Sequence, residues 1–221
     1  MINVNLKKRI LTSIVLILLL VLMYCYFYIL LLSLIVISLI SWIEFYGLII
    51  KIFKKDNLKN KIYAFIYKLI SLIYLFILVF FILNISTYSP ELKIFIIYPI
   101  LVSILSDIGG LIIGKTFKGK KLTKISPKKT ISGVIGSFAF SLFLIPFFIK
   151  VIVEHNFLSL LIITLIISLV SQLGDLLISF LKRKAKVKDT SDLLPGHGGV
   201  LDRIDGIILA IPFGFFLFNY F

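Results

Sequence analysis

Residues 10–43 read ILTSIVLILLLVLMYCYFYILLLSLIVISLISWI, thirty-four positions without one charged side chain. A helix needs about 20 apolar residues to cross a ~30 Å hydrocarbon layer, so the run is too long for one crossing and just long enough for two. The flanks decide. Lys7, Lys8 and Arg9 precede the run, and the segment Lys51–Lys61 carries five lysines against Asp56 alone. Basic segments stay on the cytoplasmic side, and a chain that leaves that side and returns to it crosses twice. We therefore expect helices over 10–27 and 29–50, joined by a turn at 27–29. No small-x-small cleavage site follows the basic start, so the first helix is expected to be retained rather than removed as a signal peptide.

The same reasoning extends along the chain. Apolar stretches over 62–85, 94–113, 131–150, 157–181 and 204–221 add five helices, which predicts an all-α, polytopic integral membrane bundle of about seven transmembrane helices. Of the 24 lysines and arginines, 21 lie in the N-terminus and in three segments (51–61, 115–129 and 182–203) that seven crossings put on one side; only Lys68, Lys93 and Lys150 are left over. The composition agrees, with 60% hydrophobic residues and a mean hydropathy of +1.14. In such a chain the net charge of +14 belongs to cytoplasmic loops facing anionic headgroups and not to a nucleic-acid partner. The single cysteine, Cys25, excludes a disulfide framework or a cysteine-based metal site within the chain. No internal repeat or linker is visible, so one membrane domain is expected over 1–221, with N-terminal helices over 1–93 and catalytic helices and loops over 94–221.

Function is carried by the acids inside these helices. Ionisable residues within membrane segments are costly and usually mark function. Asp107 lies eight residues before Lys115, and Asp175 seven before Lys182, about 10–12 Å below the basic loops at 1.5 Å per residue. That depth predicts a cavity open to the cytoplasm. Asp175, Ser179 and Lys182 share a helix face by spacing, and Asp202 and Asp205 share another. Gly174 and Gly206 leave room for a neighbouring helix. Carboxylates alone suit Mg²⁺, which typically binds through one or two of them plus substrate phosphates. The loops supply cations and amides for those phosphates: Ser126-Pro127-Lys128-Lys129-Thr130 opens a helix, and Gly196, Gly198 and Gly199 permit close approach to an anion. His197 reads either as a phosphate donor or as a plain turn residue; His155 is expected on the outer side. Together these predict metal-assisted phosphoryl or nucleotidyl transfer at the inner membrane surface.

The segment Ser179–Asp205 resembles the signature of the phosphatidate cytidylyltransferase (CDP-diacylglycerol synthase) family. The matching positions are Ser179, Lys182-Arg183, Lys188-Asp189, Pro195, His197-Gly198-Gly199 and Asp202-Arg203-Ile204-Asp205. The loop Ser126–Thr130, Asp107 with Gly114, and more loosely Arg9-Ile-Leu-Thr and Trp42-x-Glu44-Phe extend the resemblance. It departs from the family pattern at Ser132 and Ile178, where Glu is common, and at Gly109-Gly110, where a Tyr is usual. The resemblance implies an enzyme that makes CDP-diacylglycerol and pyrophosphate from CTP and phosphatidate, for phospholipid synthesis. It implies Mg²⁺ held by Asp175, Asp202 and Asp205, and catalytic roles for Ser179, Lys182, Asp202 and Asp205. Substrate contacts would come from Asp107, Lys128, Lys129, Arg183, Lys188, His197, Gly198, Gly199 and Arg203. A bacterial cell membrane, a cytoplasm-facing site and a possible homodimer go with this expectation. Three other readings compete with it: a CTP-dependent polyprenol or phytol kinase, an ion-coupled transporter, and a structural or scaffold membrane protein, which would leave the glycine turn and the Asp pair without a use.

Overall fold

The computed structural model describes residues 4–54, 57–123, 126, 129–152, 156–196 and 198–220, with the backbone alone for residues 4–9 and Pro90. Its helices are α1 (Val4–Cys25), α2 (Phe27–Ile52), α3 (Leu58–Tyr88), α4 (Ile94–Phe117), α5 (Ile131–Leu142), α6 (Ile145–Phe148), α7 (Phe157–Lys184), α8 (Leu201–Ile204) and α9 (Ile207–Tyr220), with a 3₁₀ turn over Pro90–Lys93. Among the described residues there is no strand, only isolated bridges between Lys121 and Thr130 and between Leu194 and Gly198. Five helical segments are long and apolar enough to cross a membrane, and Ile10–Cys25 adds a shorter apolar helix. The chain is an all-α, polytopic integral membrane protein.

Each of the seven predicted stretches is helical, with shifted boundaries. The break between the first two helices is Tyr26 alone, whose extended backbone (φ −123°, ψ 115°) interrupts the helix; the turn expected at 27–29 is itself helical. The fifth stretch is broken at residues 143–144, just before Pro146, which divides it into α5 and α6. The last helix has 14 residues, about 21 Å of rise, less than the hydrocarbon thickness.

The chain packs as two compact units. The first comprises Met1–Tyr88 with Leu181–Ile204, the second Ser89–Phe180 with Asp205–Phe221.

In the first unit α1 and α2 form a hairpin. Thr12 Oγ1 donates to Pro195 O (3.2 Å), and Glu44 accepts from Val200 N (3.0 Å). A continuous helix would separate Thr12 and Glu44 by about 48 Å, whereas the five residues from Pro195 to Val200 span at most about 18 Å. The chain must therefore double back at Tyr26. α2 then pairs with α3: Trp42 Nε1 donates to Lys68 O (3.3 Å), the Phe53 and Tyr67 rings stack, and Lys68 Nζ sits 3.7 Å above the Tyr46 ring. The start of α1, the α2–α3 connection and the 181–204 segment consequently lie at one end of this unit.

The second unit has the larger core, centred on Tyr98, Val102, Leu160, Ile163, Ile167 and Ala210. Hydroxyls inside it pair, as membrane interiors favour, in three places: Tyr98 Oη with Thr164 Oγ1 (2.6 Å), Ser106 with Ser168 (3.1 Å), and Ser137 Oγ with Ser106 O (2.7 Å); Ser171 Oγ, buried on α7, has no hydrogen-bond partner among the described residues. α4 and α5 approach closely through small residues. A Cβ on Gly109 would strike Gly136 O, and one on Gly136 would strike Ile113. Gly174 and Gly206 bring α7 against the start of α9, since a Cβ on Gly174 would lie 2.5 Å from Asp205 O. That neighbour was expected from the two glycines.

Candidate active site

In the first unit the 181–204 segment is tied down by two carboxylates. α7 ends in a reversed turn in which Val187 N donates to Lys182 O (3.0 Å) and Lys186 N to Arg183 O (3.1 Å), with Lys186 at φ 58° where glycine is usual. The chain then runs back so that Asp202, on α8, meets Lys182: Nζ is 2.6 Å from Asp202 Oδ1, and the side chains are 11% and 4% exposed. The other oxygen, Oδ2, accepts from Thr190 N (2.8 Å) and Gly199 N (3.0 Å) and lies 2.9 Å from Thr190 Oγ1. Burial alone would push the Asp202 carboxyl up. The Lys182 ammonium and the Thr190 and Gly199 amides outweigh it and hold the group below the usual carboxylate value.

The second carboxylate is Glu44, buried on α2. Oε1 accepts from Ser191 Oγ (2.6 Å) and Val200 N (3.0 Å). Oε2 accepts from Leu201 N (2.8 Å) and lies 2.9 Å from the same Thr190 Oγ1. One hydroxyl thus stands between two carboxylates with a single proton to donate. Gly199 is fixed by this arrangement: a Cβ there would lie 2.5 Å from Glu44 Oε2. Gly198 adopts φ 82°, a conformation that costs other residues 1–2 kcal/mol or so.

In the second unit the two ends of the basic loop between α4 and α5 pair with each other as the arms of a short hairpin. Leu122 N donates to Lys129 O (2.8 Å) and Ile131 N to Lys120 O (3.0 Å). Thr130 caps α5, its Oγ1 accepting from Gly133 N (3.1 Å). The hairpin presents Lys129 to Asp175 on α7 as an ion pair, the side chains 26% and 23% exposed. Ser179 Oγ donates to Asp175 Oδ1 (3.2 Å), the i, i+4 contact anticipated from spacing.

The family model described as "Cytidylyltransferase family" matches residues 2–221. The chain belongs to the cytidylyltransferase family. It is 50% identical over 112 residues to a phosphatidate cytidylyltransferase of Rickettsia felis, covering 47% of this chain and 49% of that protein. It is 45% identical over 140 residues to that of Rickettsia prowazekii, with 59% and 60% covered, and 42% identical over 125 residues to that of Bacillus subtilis, with 56% and 46% covered. The chain spans about half the length of the curated relatives it matches.

In this family member the residues singled out from sequence fall as follows. Ser179 and Asp175 meet in the second unit with Lys129, while Lys182 and Asp202 meet in the first. Asp205 is buried in the second unit, its Oδ1 accepting from Gly206 N (2.9 Å). Asp107 is exposed on α4, and Lys188 and Arg203 are exposed in the first unit. Arg183 is exposed as well, its Nη1 donating to Val187 O (3.2 Å). Lys128, His197 and His155 lie outside the described residues.

The approach to an anion expected of the glycine turn shifts at Gly199. Gly199 N is spent on Asp202 rather than turned toward an anion, and the space beside Gly199 belongs to Glu44. Glu44 itself went unassigned; its spacing within α2 carries no sign of partners 146–157 residues later.

Among the described residues, no three His, Cys, Asp or Glu side chains form a metal-holding group. The donor chemistry still separates the carboxylates. Asp202 does not fit a cation, because its Oδ1 carries an ammonium, its Oδ2 accepts two amides and faces the Thr190 hydroxyl, and its side chain is almost wholly buried. Asp175 also carries an ammonium, that of Lys129, but it is partly exposed and has only the Ser179 hydroxyl beside it, which leaves it nearer the one-carboxylate mode in which Mg²⁺ is shared with substrate phosphates.

Proposed function

We propose that the chain transfers CMP from CTP to phosphatidate, giving CDP-diacylglycerol and pyrophosphate, with its site on the cytoplasmic side of a bacterial cell membrane. A phosphate oxygen of phosphatidate attacks the α-phosphorus of CTP, and the bond to the β-phosphate bridging oxygen breaks as pyrophosphate leaves. Phosphatidate is already an anion, so no side chain has to remove a proton. The work left to the protein is holding charge and orientation.

The observation that carries this reading is the anchored 181–204 segment in a chain of this family. Lys182 is held at 2.6 Å by Asp202, and Arg183, Lys188 and Arg203 are exposed on the same segment. Lys182 and these three residues would meet nucleotide phosphates, and Lys129 with Ser179 would orient phosphate beside Asp175. Mg²⁺ belongs to the same proposal, with Asp175 as its protein ligand; when bound it would neutralise phosphate charge. The names of the Rickettsia and Bacillus relatives support the choice of CTP and phosphatidate.

The test is incubation of the purified protein with phosphatidate in detergent micelles and CTP labelled at either the α or the γ phosphate. Transfer of CMP puts α label, and no γ label, into lipid. Label from γ alone would mean that the chain is a kinase and overturn the reading.

A further inference from the structure

We propose that Glu44 is a positioning residue: from α2 it fixes both strands of the 190–201 strap and so sets the register in which Asp202 holds Lys182. The kinetic part of this inference rests on the cytidylyltransferase reading; the structural part does not.

Donors and lone pairs decide what Glu44 can do here. The strap runs out from Thr190-Ser191 and returns at Val200-Leu201. Glu44 takes a hydroxyl from the outgoing strand and an amide from the returning strand on each of its two oxygens. A carboxylate is the one side chain group that offers acceptors alone on both atoms, and both amides point at it. Buried hydrogen bonds to a charged acceptor are worth more than neutral ones, so this clamp is stiff. Thr190 Oγ1 passes the constraint on, lying 2.9 Å from Glu44 Oε2 and from Asp202 Oδ2. Gly199 closes the device, because only a residue without a Cβ lets the Glu44 carboxylate reach the returning strand.

Glutamine in place of Glu44 is informative because it is isosteric. Its amide nitrogen replaces one oxygen. The hydroxyl at that atom can turn and accept, but the backbone N–H cannot, so one clamp bond is replaced by two opposed donors. The expected result for Glu44→Gln, purified as a monodisperse protein, is faster hydrogen exchange at the Val200 and Leu201 amides with α3 amides unchanged. The kinetic expectation is a fall of about tenfold or more in kcat per folded molecule, with a smaller change in the KM for phosphatidate. Thr190→Val removes only the shared hydroxyl and should lower kcat in the same direction, which keeps the test open should Glu44 variants insert poorly. A merely structural role would lower the folded yield and leave kcat per folded molecule at the wild-type value; that outcome, or unchanged exchange at Val200 and Leu201, overturns the proposal. Absence of CMP transfer in the wild-type protein would instead count against the cytidylyltransferase reading, and the exchange measurement alone would then decide the role of Glu44.

Discussion

At the scale of the residue, the acids of this chain are distinguished by what they accept. The Asp202 carboxyl is lowered in the folded protein relative to its ordinary value, so its stabilisation is fully present above the unfolded carboxylate value of about 4 and is lost as pH falls through the folded one. Stability of the detergent-solubilised protein should therefore decline below about pH 4, with Asp202→Asn removing one proton's share of that slope and leaving a lower, flatter profile. Melting curves measured from pH 7 to 3 check this; an identical acid slope in Asp202→Asn would contradict it. The i, i+4 pair of Asp175 and Ser179 was legible from spacing. The pairing of Lys182 with Asp202, twenty residues on, was not, because helical periodicity says nothing once the helix ends at Lys184.

At the scale of the element, hydropathy located every long helix, and the glycines at 174 and 206 announced a neighbouring helix. The contact between α4 and α5 rests on the same chemistry, close approach through small residues, but which glycines face a neighbour cannot be read from composition. Two substitutions separate them. Gly136→Val drives a side chain into Ile113 and should destabilise by about 1–3 kcal/mol, the usual range for overpacking. Gly47, on α2, has nothing within 4 Å of its absent Cβ; Gly47→Ala should be neutral or stabilise by up to about 1 kcal/mol through helix propensity. Thermal melting in detergent reads both, and equal effects would contradict the packing described for α4 and α5.

At the scale of the whole molecule, the count of basic residues predicts that the loops share a side. Within the first unit, the start of α1, the α2–α3 connection and the 181–204 segment do lie at one end. The strap's attachment to α2 was hidden, since a contact between Glu44 and Leu201 leaves no trace in any local pattern. Orientation in the membrane has its own test. In a Cys25→Ser background, a cysteine at the exposed position Lys188 should react with a membrane-impermeant maleimide only after cells are permeabilised, and labelling of intact cells would reverse the proposed sidedness.

In the proposed reaction lipid phosphate displaces pyrophosphate from CTP. The most direct measurement is a phosphorus-31 NMR spectrum of the purified protein turning over CTP and phosphatidate. The expected result is growth of free pyrophosphate together with a lipid-linked diphosphate diester. Growth of CDP with a lipid diphosphate monoester, or no change in either signal, would contradict it.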